Sequence, residues 1–189
     1  GYETTSTSLC WGAYCLLRHR EVLAQVRSEI ETVMPGGVFD PARVRDLRYL
    51  GAVIQESLRA YPIAIGIPRR LKRPLQVAGK DLAPGSIVMA CTYLMHHNPA
   101  LWEKPEEFLP ERMLARKPPP SIFLPFGAGV WRCLGATFAE HEMRIVLAWL
   151  ATRVELELDK AVKIRPQQRG ITARPTDGLP VIVSAVRNP

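Results

Sequence analysis

A chain of 189 residues with a 47% hydrophobic share can bury one substantial core. Four cysteines without regular spacing exclude a disulfide framework and a Cys-x-x-Cys zinc site, and point to a reducing compartment; no run of about eighteen apolar residues is present to span a bilayer. The net charge of +7 allows nucleic-acid binding, but the basic residues are dispersed, and the densest cluster, Arg69-Arg70-Leu71-Lys72-Arg73, has no interleaved aromatics; docking of an acidic protein uses the same physics.

In chain order, residues 1 to about 17 read as an apolar helix crowded with Thr and Ser at its start. The first residues have neither the basic start nor the apolar centre of a signal peptide, and do not resemble a natural N-terminus. His19 to Val33 reads as an amphipathic helix stopped by Pro35-Gly36-Gly37. Asp40-Pro41-Ala42 opens a short helical piece, and Leu47 to Tyr61 forms a third helix ended by Pro62. Between Pro68 and Cys91 the pattern alternates and turns as a small antiparallel sheet does. Pro99 to Pro120 is a proline-rich coil, long enough to be functional or to wrap something. From Leu134 a long helix is expected, with Phe138, Ile145 and Trp149 along one face; the tail, 154–186, reads as short strands with turns at Pro166 and Asp177-Gly178.

Three constellations carry chemistry. Cys133 sits between a glycine-rich turn (Gly127, Gly129, Gly135) and the start of the long helix, where the helix dipole favours thiolate. A buried structural thiol, a nucleophile and an axial ligand to haem iron all fit, and spacing alone does not choose; nothing ties His96, His97 or His141 to it. Glu56 and Arg59 lie at i and i+3 on the third helix, either as an exposed pair or as a buried one that needs further partners, for which Arg112 is the candidate. Glu3-Thr4-Thr5 sets an acid beside two hydroxyls, either bonded back to helix carbonyls or acting as a proton relay.

The order of these pieces, Gly-x-Glu-Thr-Thr, Glu-x-x-Arg, Pro-Glu-Arg and Phe-Gly-x-Gly-x-x-x-Cys-x-Gly, resembles the cytochrome P-450 haem-thiolate monooxygenases over nearly the whole chain. The resemblance is greatest to soluble bacterial members. It implies a mainly α fold with small antiparallel β-sheets, with residues 1–189 forming the C-terminal, haem-ligand half from mid distal helix onward. It implies haem b (iron protoporphyrin IX) with Cys133 as axial thiolate. Phe126, Gly127, Gly129 and Gly135 would shape the loop beneath the porphyrin, and backbone N–H groups would bond the sulfur. Arg69 would pair with a propionate. Glu56, Arg59 and Arg112 would form the buried charge network, Glu3 and Thr4 the acid–alcohol pair of oxygen activation. Ile63, Ala64, Ile65, Ile67 and the turn at Ile171 would face substrate.

Two positions depart from the family pattern. Trp131 stands two residues before the cysteine, where the family usually has Arg or His as a propionate donor, with Arg132 shifted by one; an indole N–H brings no charge. Met113 replaces the usual aromatic after Pro-Glu-Arg. The implied activity is insertion of one atom of O2 into an apolar small molecule, with electrons from an acidic ferredoxin- or flavodoxin-type donor and no nucleic acid as partner. A haem-thiolate isomerase, dehydratase or peroxygenase is the enzyme alternative, which Glu3-Thr4 disfavours; a basic nucleic-acid-binding module is the non-enzyme one. The implied location is the cytoplasm, any membrane anchor falling in the missing N-terminal half. By itself the segment is expected to hold haem weakly unless that half, or a second copy, covers its apolar face.

Overall fold

A computed structural model of the chain describes residues 2–176 and 178–187. Gly1, expected to open the first helix, and Asp177, expected in the last turn, lie outside the described residues. The chain runs α1 (Tyr2–Arg18), α2 (Arg20–Val33), a 3-10 turn (Pro35–Gly37), a 3-10 helix (Pro41–Asp46) and α3 (Arg48–Ala60). Strands β1 (Ile67–Arg70), β2 (Leu75–Val77), β3 (Lys80–Leu82) and β4 (Ile87–Ala90) follow, then α4 (Thr92–His96), α5 (Glu111–Ala115) and α6 (Ala136–Arg153). Strands β5 (Val154–Leu158), β6 (Pro166–Arg169), β7 (Thr172–Pro175) and β8 (Val181–Val186) end the chain. Among the described residues four antiparallel two-stranded pairings result: β1–β4, β2–β3, β5–β8 and β6–β7. The architecture is mainly α with small antiparallel sheets, as expected.

The core forms where four helices converge. Trp11 and Leu16 of α1, Val26 and Ile30 of α2, Leu50 and Ile54 of α3, and Met143 and Leu147 of α6 bury there. On α2 the apolar residues Val22, Val26 and Ile30 recur every fourth residue, so one face turns inward. Helix α3 is buried nearly all round. Leu47, which precedes it, offers no side-chain cap; instead the Glu29 carboxylate of α2 accepts from the amides of Tyr49 and Leu50, at 2.7 and 2.9 Å. A negative group at a helix N-terminus also opposes the positive end of its dipole. Trp11 stacks on Tyr61 with centroids 4.1 Å apart and donates its indole N–H to the Ala173 carbonyl at 3.0 Å. That bond ties α1 to β7, and β7 to the site described below.

Gly12 marks the closest approach of α1 and α6. A Cβ built there would stand 2.8 Å from Leu147 Cδ1, and Leu147 is fully buried. Gly12→Val is expected to lower stability by about 2–3 kcal/mol through overpacking. Gly12→Ala is expected to be milder, because its gain in helix propensity of roughly 1 kcal/mol offsets part of the crowding. Urea midpoints of the two variants check the ordering; equal midpoints would show that Leu147 yields freely.

Two expectations from the sequence are corrected here. Helix α6 begins at Ala136 rather than Leu134, and its buried stripe is Ala136, Met143, Leu147 and Ala151. Phe138 is 72% exposed and Trp149 is exposed too, so the face they share with Ile145 is distinct from the buried stripe. Pro166 is the first residue of β6, paired with Pro175, a strand-end position where its missing N–H is tolerated. The turn of that hairpin falls instead at Gly170, with φ of +58°.

Candidate functional site

Cys133 lies between the 3-10 turn Gly129–Trp131 and α6, and it is the exposed member of the four cysteines. Burial pushes the thiols of Cys10 and Cys15 up, Cys15 far more, which holds both protonated. The loop bearing Cys133 closes on itself: the Leu124 carbonyl accepts from the Gly127 amide at 3.1 Å, and the Phe126 carbonyl accepts from the Cys133 amide at 2.9 Å. Gly127 and Gly129 have φ of +70° and +64°, a region where L side chains are strained. A Cβ on Gly129 would meet nothing within 4 Å, so the loop has an open flank. Among the described residues no donor reaches the Cys133 sulfur: its own amide bonds Phe126, and the expected backbone N–H bonds to Sγ are not formed.

The segment 63–67 runs from β7 to this loop. The Ile63 carbonyl accepts from the Ala173 amide at 2.8 Å, Ala64 bridges Thr172, and the Ile65 carbonyl accepts from the Tyr93 amide. Ile63 packs into the core, whereas Ile67 Cδ1 lies 3.9 Å from where a Gly127 Cβ would stand. Ile171, beside Thr172 at the tip of the β6–β7 hairpin, is 80% exposed. Arg69, on β1, sets its guanidinium carbon 5.6 Å from the centroid of the Trp131 ring. Arg69 thus meets Trp131, Ile67 lies near Gly127, and Ala64 lies beside the hairpin that bears Ile171, whereas Ile63, expected to face substrate, belongs to the core. Glu3 and Thr4 occupy the exposed first turn of α1, while Thr5 is buried. Ser6 and Ser8, rather than Thr4, bond back to helix carbonyls, those of Glu3 and Thr4.

Glu56 and Arg59 are both fully buried, which rules out the exposed-pair reading. Glu56 Oε2 accepts from Arg59 Nε at 2.9 Å; Oε1 accepts from Arg59 Nη2 at 2.9 Å, Arg112 Nε at 3.1 Å and the Leu109 amide at 3.1 Å. Two guanidiniums against one carboxylate leave a surplus positive charge, and backbone carbonyls surround it. Arg59 donates to the carbonyls of His96 (2.8 Å) and Glu107 (3.3 Å); Arg112 donates to those of Glu103 (2.7 Å), Lys104 and Glu107. Lys104 has φ of +46°, an unfavourable conformation that directs its carbonyl at Arg112. The coil beyond Pro99 thus wraps a buried ion network. Met113, the departure after Pro-Glu-Arg, is buried beside Ala52 and Trp102.

Sequence reasoning passed over His96. Its ring is fully buried, and its Nε2 accepts from the Leu124 amide at 3.0 Å. Burial lowers its pKa to about 4, so it is neutral. In the sequence His96 is one of two adjacent histidines, and neither periodicity nor spacing singles it out.

These residues suit a flat, anionic-edged group with a metal at its centre. One thiol is offered on an exposed loop with glycines beside it, Val130 and Leu134 present apolar surface, and Arg69 has no acidic partner among the described residues. No group of three or more His, Cys, Asp or Glu among the described residues could hold a metal ion by itself. No helix of the described residues is long and apolar enough to cross a membrane.

As a class, this is a mainly α protein that presents a single thiol from a glycine loop braced by buried charge. The family model for cytochrome P450 matches residues 1–181. The chain is 34% identical to human cytochrome P450 3A5 over 183 residues, covering 89% of this chain and 36% of that protein. It is 37% identical over 188 residues to the putative cytochrome P450 135B1 of Mycobacterium tuberculosis, covering 100% of this chain and 39% of that one. The crystal structure of a cytochrome P450, CYP102L1, superposes with a TM-score of 0.85 at 31% identity, over 98% of this chain and 43% of that one. The chain belongs to the cytochrome P450 family. It spans well under half the length of these relatives.

Proposed function

We propose that this chain is the haem-ligand part of a monooxygenase, residues 1–189 forming a partial cytochrome P450 domain, with Cys133 as the axial ligand of haem b. The observation that carries the reading is the exposed Cys133 thiol on a self-closed glycine loop at the start of α6. When bound, haem supplies oxygen activation, and a thiolate ligand raises electron density at the iron, which favours O–O cleavage. Phe126, Gly127, Gly129 and Gly135 let the backbone lie close beneath the ring. Arg69 binds a propionate, and Trp131, an uncharged residue at a usually cationic position, orients that guanidinium by stacking. Ile65, Ile67 and Ile171, with Ala64 and with Ile63 behind them, present apolar surface to an apolar substrate. Glu3 and Thr4, on the exposed first turn of α1, would supply the carboxylate and hydroxyl of a proton relay. The basic surplus of the chain suits an acidic ferredoxin- or flavodoxin-type electron donor.

The Soret band of the reduced, carbon-monoxide-treated protein tests this. Cys133→Ser is expected to abolish the red-shifted thiolate band, while Cys10→Ser, Cys15→Ser and Cys91→Ser leave it in place. Survival of the band in Cys133→Ser would remove the proposal.

A further inference from the structure

The buried ion network and the cysteine loop are separate in sequence, and in the fold they meet at one residue. The backbone carbonyl of His96 accepts from Arg59 Nη1 at 2.8 Å, and its imidazole Nε2 accepts from the Leu124 amide at 3.0 Å. Leu124 is the residue at which the loop to Cys133 starts to turn, since its carbonyl takes the Gly127 amide. The ring is fixed by aromatic neighbours: Phe123 at 5.4 Å between centroids and Trp102 at 6.3 Å, edge to face.

We infer that His96 is a positioning residue for the Cys133 loop, acting as a neutral imidazole in its Nδ1–H tautomer that anchors the Leu124 amide to the Glu56–Arg59–Arg112 network. The tautomer follows from the bond. An Nε2 that accepts from an N–H must carry a lone pair, so the ring proton sits on Nδ1. Nδ1 is buried and makes no hydrogen bond among the described residues, and the same is true of Thr92 Oγ1 one helical turn earlier. An imidazole with one nitrogen unpaired is a poor core-filling group. What it supplies that phenylalanine cannot is the acceptor for Leu124.

The residue acts by fixing where the loop begins. Among the described residues the ten-residue loop from Leu124 to Cys133 makes one long-range hydrogen bond to a side chain, at its start, and its closure by Phe126 and Cys133 is internal. Without that anchor the closed turn is intact but held to the rest of the fold by the packing of Phe126 on the core and of Trp131 beside Arg69 alone, so it shifts relative to α3 and Cys133 shifts with it. The role therefore differs from packing, and a substitution that keeps an acceptor at the Nε2 position is expected to rescue it.

The test has two readouts, and only the second rests on the haem-thiolate reading. First, nitrogen-15 spectra of labelled histidine in the unmodified protein are expected to show His96 with Nδ1 protonated and Nε2 bare; the opposite tautomer, or a doubly protonated ring at neutral pH, would overturn the inference. Amide exchange at Leu124 is expected to quicken at least tenfold in His96→Phe and to return to within about threefold of the unmodified rate in His96→Gln, whose Oε1 reaches the same place. Second, in the haem-loaded protein, His96→Phe is expected to lose most of the thiolate–carbon monoxide band while His96→Gln keeps it. Equal exchange in all three proteins, or equal damage in Phe and Gln variants, would reduce His96 to packing. If the variants do not fold, the tautomer measurement on the unmodified protein still decides. A failure of the haem reading shows separately, as absence of the thiolate band in the unmodified protein.

Discussion

Arg59→Ala is expected to yield protein that is largely insoluble and free of haem. Arg59 is fully buried, and its guanidinium holds both oxygens of Glu56 together with the carbonyls of His96 and Glu107. Removing it leaves a buried carboxylate with Arg112 as its remaining charged partner, the His96 carbonyl without its donor, and the Glu107 carbonyl with Arg112 alone. Breaking a buried pair from one side costs about 3–5 kcal/mol. Against a typical domain stability of roughly 5–15 kcal/mol that is at least a fifth of the total, and all of it for a marginal domain. Arg59→Lys is expected to rescue little, because one ammonium cannot reproduce a fork that bonds a carboxylate twice and reaches two further carbonyls. Soluble yield and urea midpoints of the two variants decide; near-normal values for either would mean that Arg112 alone sustains the network.

The second large effect is on pH dependence. His96 has a folded pKa of about 4, lowered chiefly by burial, against about 6.5 in an unfolded chain. Above pH 6.5 both states are neutral and the residue leaves stability unaffected by pH. As pH falls from 6.5 toward 4, the unfolded chain takes up a proton that the folded state refuses, and stability drops. The full loss is on the order of 3 kcal/mol. Around the ring the backbone of Arg59 favours a proton, while the Arg59 and His97 charges oppose one, and burial decides the direction. His96→Gln is expected to flatten the slope of unfolding free energy between pH 6.5 and 5, a range in which most carboxylates are still ionised. An unchanged slope would place the acid sensitivity elsewhere.

Much of the helical frame was legible because its signals are local. Pro35-Gly36-Gly37 stops α2, Pro62 follows α3, and the observed ends lie within one residue of those expected. What was illegible depends on distant partners. No residue before α3 caps it, because Glu29 does so from α2. The buried stripe of α6 was not legible, because Phe138, Ile145 and Trp149 fit a helical period as well as Met143, Leu147 and Ala151 do. When a helix is apolar on two sides, periodicity does not say which side meets the core. The candidate site divides in the same way. Cys133 between its glycines, and Glu56 with Arg59, stand out as spaced side chains. The carbonyls of Glu103, Lys104 and Glu107 carry no side-chain signature, and His96 is disclosed by a backbone amide twenty-eight positions away.

The coil around the ion network has a further consequence. At Glu103, Lys104 and Glu107 the network uses the peptide oxygen, which every amino acid possesses. The path of the coil is thus dictated by Glu56 and Arg59, far from it in sequence, and by Arg112 within it, while its side chains at these three positions face other demands. Such a stretch behaves like a casting around a mould. At Glu103 and Glu107 its letters are free to adapt to a neighbouring surface, whereas Lys104, at φ of +46°, is constrained by its backbone; the shape persists as long as the three charged residues do.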